Sequence, residues 1–362
     1  MKKLTYLFLS CLLAISCQDI DKSSSVKTSK SGGTLKMNET EFLTSVNPHS
    51  IDDIVSAQIL SQVFEGLVKY DSKNLEIVPS IAKKWKADES GLNYTFYLNN
   101  SVYFHEDKCF VKEGSEKTKD TRLITAEDFK YSFKLLCTQS LQNKNFNRTI
   151  NMVVGAKKYF EESLGSKPDL DIEGIKIIND TTLQITIEKP NPLFIHFLAN
   201  HSAVVIPKEA VEMYGDDNMI GTGPFVIKEL PVRNKAFYLL KNKNYYKKDK
   251  DGILLPYLDS VKFSFIASTQ KELRLFEEGK LDIVMNLTNE FVQEFLQKNI
   301  NAFESNPPQF VLDQYDDVKT SNKFNLLRSN VNDFYSNRMN YIDISFVYLQ
   351  EPKPEEKSIT KE

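Results

Sequence analysis

The histidines and acidic residues are the side chains of this sequence whose chemistry could serve catalysis or bind a metal ion. The four histidines are His49, His105, His196 and His201, and they share no metal-ligand spacing with one another or with the cysteines. The run His105-Glu106-Asp107 has the residue types of an acid–base or metal cluster. It directly follows an apolar strand pattern, which favours a polar turn with a structural role. We therefore predict no metal site and no cofactor.

Signature motifs of the common enzyme classes do not occur in the sequence. It contains no G-x-S-x-G elbow, P-loop, H-E-x-x-H or G-x-G-x-x-G. Scattered carboxylates assign no catalytic role unless a fold brings them together. The sequence therefore predicts a protein that is not an enzyme, and it offers no candidate catalytic residue.

The first residues have the layout of a secretory signal peptide over residues 1–16. Lys2 and Lys3 precede an apolar stretch that is shorter than the roughly 20 residues of a membrane span. The sequence AISC at 14–17 is similar to a bacterial lipobox, which predicts a lipid on Cys17 and a membrane anchor through that lipid. Residues 17–31 then form a flexible polar tether. A plain secretory peptide with an incidental cysteine is the alternative.

Two cysteines remain once Cys11 is removed with the signal peptide and Cys17 carries the lipid. Outside the cytoplasm, Cys109 and Cys137 are candidates for a disulfide. Nothing in the sequence fixes the distance between them, so the bonded and free states both stay open.

Charge and aromatic content narrow the class of partner. The formal net charge is −3 and lysines alternate with acids, so the concentrated basic face of a nucleic-acid-binding protein is missing and we predict no nucleic-acid partner. The 24 Phe and 16 Tyr suit a sizeable core, with ligand stacking as the second use. The length suggests about two domains.

Hydrophobic periodicity and turn signals predict a mixed α/β fold. Helical spacing predicts a helix from Ile54 to about Val63, one from Thr125 to about Cys137 capped by Thr125 and Asp128, and one over 271–278. Two hairpins are predicted, 93–98 with 101–104 and 172–178 with 183–187. The other predicted strands are 34–38, 225–228, 236–241, 261–266 and 281–284.

Four groups of segments, in this order, carry a family resemblance. They are GGTL at 32–35 with NP at 47–48 and VFEGLVKYD at 63–71; VPSIAKKW at 78–85 with GLNYTF at 91–96; VYFH at 102–105 with TAEDF at 125–129; and GTGPF at 221–225 with NYY at 244–246, PYLD at 256–259 and EGKLDI at 278–283. Over about residues 32–300 the chain resembles the peptide, opine and nickel class of extracellular solute-binding proteins, which serve ABC importers.

The resemblance implies a periplasmic-binding-protein-like II lobe with an inserted smaller α/β domain, and an opposing lobe that is largely absent. The implied division of the chain is a first segment of the main lobe at 32–70, the inserted domain at 71–195, a second segment of the main lobe at 196–311, a junction replacing the second lobe at 312–322, a C-terminal return into the main lobe at 323–350 and a polar tail at 351–362.

The resemblance also implies a function and a site. It implies binding of a peptide or small solute, docking on an ABC transporter permease and a place in the bacterial cell envelope. The loop after the first strand maps onto Glu39, Thr40, Glu41 and Phe42 as ligand-binding residues. A largely absent second lobe leaves three hypotheses open: a weak or partner-completed importer component, a surface interaction scaffold, and a non-functional remnant.

Overall fold

The computed structural model describes residues 31–72, 74–111, 120–141, 143–164 and 168–284, together with the backbone of 310–312 and 347–349. The predicted signal peptide, the predicted lipidation site Cys17, residues 313–322 of the predicted junction and most of the predicted C-terminal return lie outside the described residues.

Short strands and helices alternate along the described chain. The strands are β1 (Thr34–Glu39), β2 (Val68–Tyr70), β3 (Ile77–Pro79), β4 (Ala82–Ala87), β5 (Asn93–Leu98), β6 (Ile175–Asn179), β7 (Thr182–Thr186), β8 (Phe225–Ile227), β9 (Phe237–Lys241), β10 (Ser260–Phe265), β11 (Phe310–Leu312) and β12 (Val347–Leu349). The helices are α1 (Ile54–Leu60), α2 (Ala126–Leu136), α3 (Phe146–Thr149), α4 (Ala156–Glu162), α5 (Phe194–Phe197), α6 (Lys208–Tyr214) and α7 (Thr269–Glu277). The mixed α/β class predicted from the sequence is confirmed.

The first sheet has the strand order β1-β10-β9-β8. Its first pair is parallel and places Leu35 beside Val261 and Met37 beside Phe263, whereas β9 is antiparallel to both of its neighbours. Alternate residues of these strands are therefore buried in one core with Ile59 of α1.

The second sheet is antiparallel and has the strand order β4-β5-β7-β6. Its apolar face forms a second core with α2, where Phe129 and Phe133 are fully buried. The predicted capping box is present, because the Asp128 carboxylate accepts from the Thr125 backbone N–H at 2.8 Å. The predicted hairpin of β6 with β7 is confirmed.

Two strand predictions are wrong. Residues 101–104 do not pair with β5, because both edges of β5 are occupied by β4 and β7. The Phe104 N–H donates instead to the Arg122 carbonyl at 3.1 Å. Residues 281–284 form no strand; the Asp282 carboxylate accepts the Lys36 N–H at 2.7 Å and so takes the place of a backbone carbonyl.

No helix within the described part of the chain combines the length and the hydropathy needed to cross a bilayer.

Candidate functional site

A cavity of about 1010 Å³ is the candidate functional site. Its wall comes from α1 and the residues just before it, from the chain between α1 and β2, from β2 and the two residues after it, from α3, from α5 with the turn after it, and from residues 245–250. Segments attached to both sheets therefore meet here. This size suits a small-molecule ligand, since such pockets measure roughly 300–1,000 Å³.

Helix α1 presents its N-terminus and its polar side to the cavity. The Asp53 carboxylate caps the helix by accepting from the Ser56 N–H at 2.7 Å, and it also accepts from the Thr44 hydroxyl at 2.6 Å. Burial opposes ionisation of this carboxyl, but the hydrogen bonds outweigh burial and lower the pKa of Asp53. Ile59 and Leu60 on the opposite side are buried, so packing fixes the helix and leaves Gln58 and Ser61 in the wall.

Glu65 is a buried acid of the wall with several hydrogen-bond partners. Its side chain is 7% exposed, and the carboxylate pairs with the Lys247 ammonium at 2.9 Å. It also accepts from the hydroxyls of Tyr245, Tyr246 and Thr222 at 3.1, 3.2 and 3.2 Å. Because these partners come from distant parts of the chain, Glu65 ties the loop at 221–225 and residues 245–247 to the end of α1.

The loop at 221–225 supports this wall through a close backbone approach. A Cβ on Gly221 would lie 2.1 Å from the Val63 carbonyl oxygen, so only glycine fits. His105 Nε2 donates to the Gly223 carbonyl at 3.0 Å, and His105 Nδ1 accepts the Gly221 N–H at 3.2 Å. Burial lowers the pKa of His105 to about 4, so the imidazole is neutral at pH 7. His105 is therefore a buried structural residue and not part of an exposed turn.

Two further histidines line the cavity. The Tyr70 hydroxyl and His196 Nδ1 are 3.4 Å apart, and the two rings lie 5.8 Å apart. His201 Nε2 lies 3.3 Å from the Ile51 carbonyl, which can only accept, so this nitrogen carries the proton. Burial and the charge of Arg148 lower the pKa of His201, and the Ile51 hydrogen bond only partly opposes them. At neutral pH the site thus holds an uncharged imidazole beside a guanidinium.

The four residues predicted to bind ligand are not among those that line the cavity. Glu39 is buried at the end of β1; burial and the nearby Glu272 carboxylate raise the pKa of Glu39 to about 8. Thr40 is half-buried and Glu41 is exposed. Phe42 packs edge to face on Phe265 at 4.8 Å. The structure thus places these residues beside the first sheet, and their contact with a ligand stays a prediction.

Cys109 and Cys137 are free thiols in the structure, and the disulfide considered from the sequence stays a prediction. Cys137 is buried at the end of α2, and Cys109 is half-buried next to Asp107. In the described part of the chain, no group of three or more His, Cys, Asp or Glu side chains is arranged to hold a metal ion.

Sequence reasoning missed the polar side of α1 and the turn after α5. A signal for the first was present, because the apolar positions Ile59, Leu60 and Val63 leave Gln58 and Ser61 on the other side of the helix. The turn carrying His201 gave no such signal, since its position in the wall depends on long-range contacts such as the hydrogen bond of His201 to the Ile51 carbonyl.

Comparison with known proteins agrees with this architecture. The chain is 26% identical over 259 residues to the periplasmic oligopeptide-binding protein OppA of Salmonella typhimurium, a match that covers 70% of this chain and 43% of that protein. It is 32% identical over 187 residues to a dipeptide-binding protein of Escherichia coli, covering 48% of this chain and 32% of that protein.

A solved structure of a similar protein also matches this chain over only part of its own length. The periplasmic oligopeptide-binding protein OppAIV of Borrelia burgdorferi superposes with a TM-score of 0.60 at 25% identity, covering 77% of this chain and 50% of that one. The chain thus spans about half the length of the relatives it matches, or less.

The family model that matches residues 76–343 describes bacterial extracellular solute-binding proteins, family 5. Because this match extends over most of the chain, the protein belongs to that family of solute-binding proteins.

Proposed function

We propose that the protein binds a peptide or a related small solute in the cavity beside α1 and presents it to the permease of an ABC importer. The observation that carries the proposal is the cavity itself, a recess of about 1010 Å³ whose wall is fixed by packing and hydrogen bonds. Relatives named as oligopeptide- and dipeptide-binding proteins support the solute class.

The chemistry of the wall suits a polar, extended solute. Asn147, Asn200, Gln58 and Ser61 offer amide and hydroxyl groups, while Phe197 offers apolar contact. Such a mixture can pair with the backbone groups of a peptide and accept different side chains. Glu65 already has its partners within the protein and holds the wall together without needing the solute.

The far side of a bound solute needs cover, because hydrogen bonds left open to water contribute little net free energy. The match to about half of each relative motivates the proposal that a partner chain completes the site. We further propose that the protein acts in the cell envelope, anchored by a lipid on Cys17. Radiolabelled palmitate incorporated into the native protein and lost in Cys17→Ser tests the anchor; equal labelling of both would contradict it.

A thermal-shift screen against peptide mixtures tests solute binding. A solute at 100 times its dissociation constant should stabilise the folded protein by about 2.7 kcal/mol. Ser61→Trp should abolish the shift, because Ser61 is exposed and lines the cavity, so that an indole there fills space without disturbing the core.

The matched control is Ser90→Trp, at an exposed turn outside the cavity, which should keep the shift. A shift that survives Ser61→Trp would place binding elsewhere. If no mixture shifts a folded protein, the surface-scaffold hypothesis replaces solute binding.

A further inference from the structure

Charged side chains of the cavity wall differ in how far the protein itself satisfies them. The Asp52 carboxylate pairs with the Lys144 ammonium at 3.0 Å. The Asp53 carboxylate caps α1, and the Glu65 carboxylate pairs with Lys247. The Asp249 carboxylate accepts backbone N–H groups from Asp251 and Ile253 at 2.9 and 2.8 Å. These acids are therefore already compensated before any solute enters.

Arg148 is a cation of the wall that lacks such compensation. Within the described ranges its guanidinium forms no ion pair and no side-chain hydrogen bond, and it is exposed to the cavity solvent. A guanidinium offers five N–H donors in a planar fork that matches a carboxylate. The wall thus presents an unused donor set of that shape.

The backbone that carries Arg148 is held firmly. Arg148 lies on α3, and Asn145 just before this helix is fully buried. The Asn145 side-chain amide donates to the carbonyls of His49 and Ile51 at 3.1 and 2.8 Å, which ties α3 to the chain leading into α1. Preorganisation of this kind lowers the ordering cost of binding.

Neighbouring charges favour Arg148 over Lys250, another cation of the wall. Lys250 also lines the cavity, but it is exposed in a turn between Asp249 and Asp251, whose carboxylates offset its charge. The Asp52 and Asp53 carboxylates also act on the pKa of His201, in the opposite direction to Arg148, but Asp52 pairs with Lys144 and Asp53 caps α1. Arg148 therefore stays available to a solute, with its planar set of donors facing the cavity.

We propose that Arg148 receives the carboxylate of the bound solute, so that the protein selects solutes with an anionic group at this end of the cavity. This inference rests on the proposed function. His201, whose ring lies beside the guanidinium and is fixed by its bond to Ile51, positions that end of the solute.

Titration calorimetry of the full chain with trialanine and with its C-terminal amide tests the inference. The free acid should bind at least about tenfold more tightly than the amide, the effect expected of a hydrogen bond to a charged group. Arg148→Gln should bring the two affinities together. Arg233→Gln, the same change at an exposed arginine outside the cavity, should keep the difference.

A second readout follows the His201 ring by NMR. Binding of the free acid offsets the charge of Arg148 and should raise the pKa of His201, whereas the amide should move it less. A preference for the acid that persists in Arg148→Gln, or that disappears in Lys250→Gln instead, overturns the inference. Equal binding of the two tripeptides overturns it while leaving the proposed function standing, and binding of neither overturns both.

Discussion

The buried acid pair at the end of β1 gives a sharp prediction about stability and pH. Glu39 is 4% exposed and Glu272 of α7 is 0% exposed. Burial, with a smaller contribution from Glu272, raises the pKa of Glu39 from 4.5 to about 8. The folded protein therefore keeps a proton on Glu39 at a pH where the unfolded chain has lost it.

The sign of the effect follows from that difference in proton binding. Between pH 4.5 and 8 the folded state binds more protons than the unfolded state, so stability falls as pH rises through this window. A tenfold change in proton affinity is about 1.4 kcal/mol, so the contribution amounts to roughly 5 kcal/mol across the whole window. Below pH 4.5 Glu39 is protonated in both the folded and the unfolded state, so it no longer makes stability depend on pH.

Glu39→Gln should therefore flatten the decline, because a neutral amide has no proton to lose. Urea unfolding at pH 5, 7 and 9 measures the free energy of unfolding of both proteins. The stability of the variant relative to the native protein should increase as pH rises. Glu41→Gln is the matched control, since Glu41 is exposed two residues away. A Glu39→Gln profile that declines as steeply as that of the native protein would refute the reasoning, because another group would then cause the decline.

Three further predictions concern stability and thiol chemistry. Glu65→Gln should lower the free energy of unfolding in urea by about 2–3 kcal/mol, because it leaves Lys247 without its carboxylate. The control Glu212→Gln, at an exposed position, should change this free energy by less than about 0.5 kcal/mol. Equal losses of stability in the two variants would contradict a stabilising network around Glu65. Gly221→Ala should yield little folded protein by circular dichroism, because its Cβ would overlap the Val63 carbonyl; a variant as stable as the native protein would show that the loop is not packed as described. Burial raises the thiol pKa of Cys109 and Cys137, so both should resist alkylation at pH 8 and both should react once the protein is unfolded without reductant; an unreactive pair after unfolding would reveal a disulfide.

Local signals in the sequence were sufficient for much of the fold. The capping residues Thr125 and Asp128 mark the start of α2, and strict alternation predicted β6 and β7. The predicted hairpin of 93–98 with 101–104 was wrong because strand pairing depends on the whole sheet. β5 is a central strand, and both of its edges already pair with other strands.

The site was less predictable than the fold for a physical reason. Glu39 ends the first strand and Thr40 to Phe42 follow it, but the burial of Glu39 near Glu272 of α7 depends on residues far away in the sequence. The cavity wall combines Ser61, Arg148 and His201, which lie far apart in the sequence and meet only through long-range contacts, such as the hydrogen bonds of Asn145 and His201 to the Ile51 carbonyl. No local pattern encodes such a meeting.

Photo-crosslinking of a bound peptide tests the central claim most directly. A tripeptide carrying a diazirine, irradiated with the full chain and mapped by mass spectrometry, should attach to α1 and to the turn after α5, around Ser61 and His201. Crosslinks confined to residues 39–42, or spread over the surface without preference for the cavity, would contradict binding at this wall.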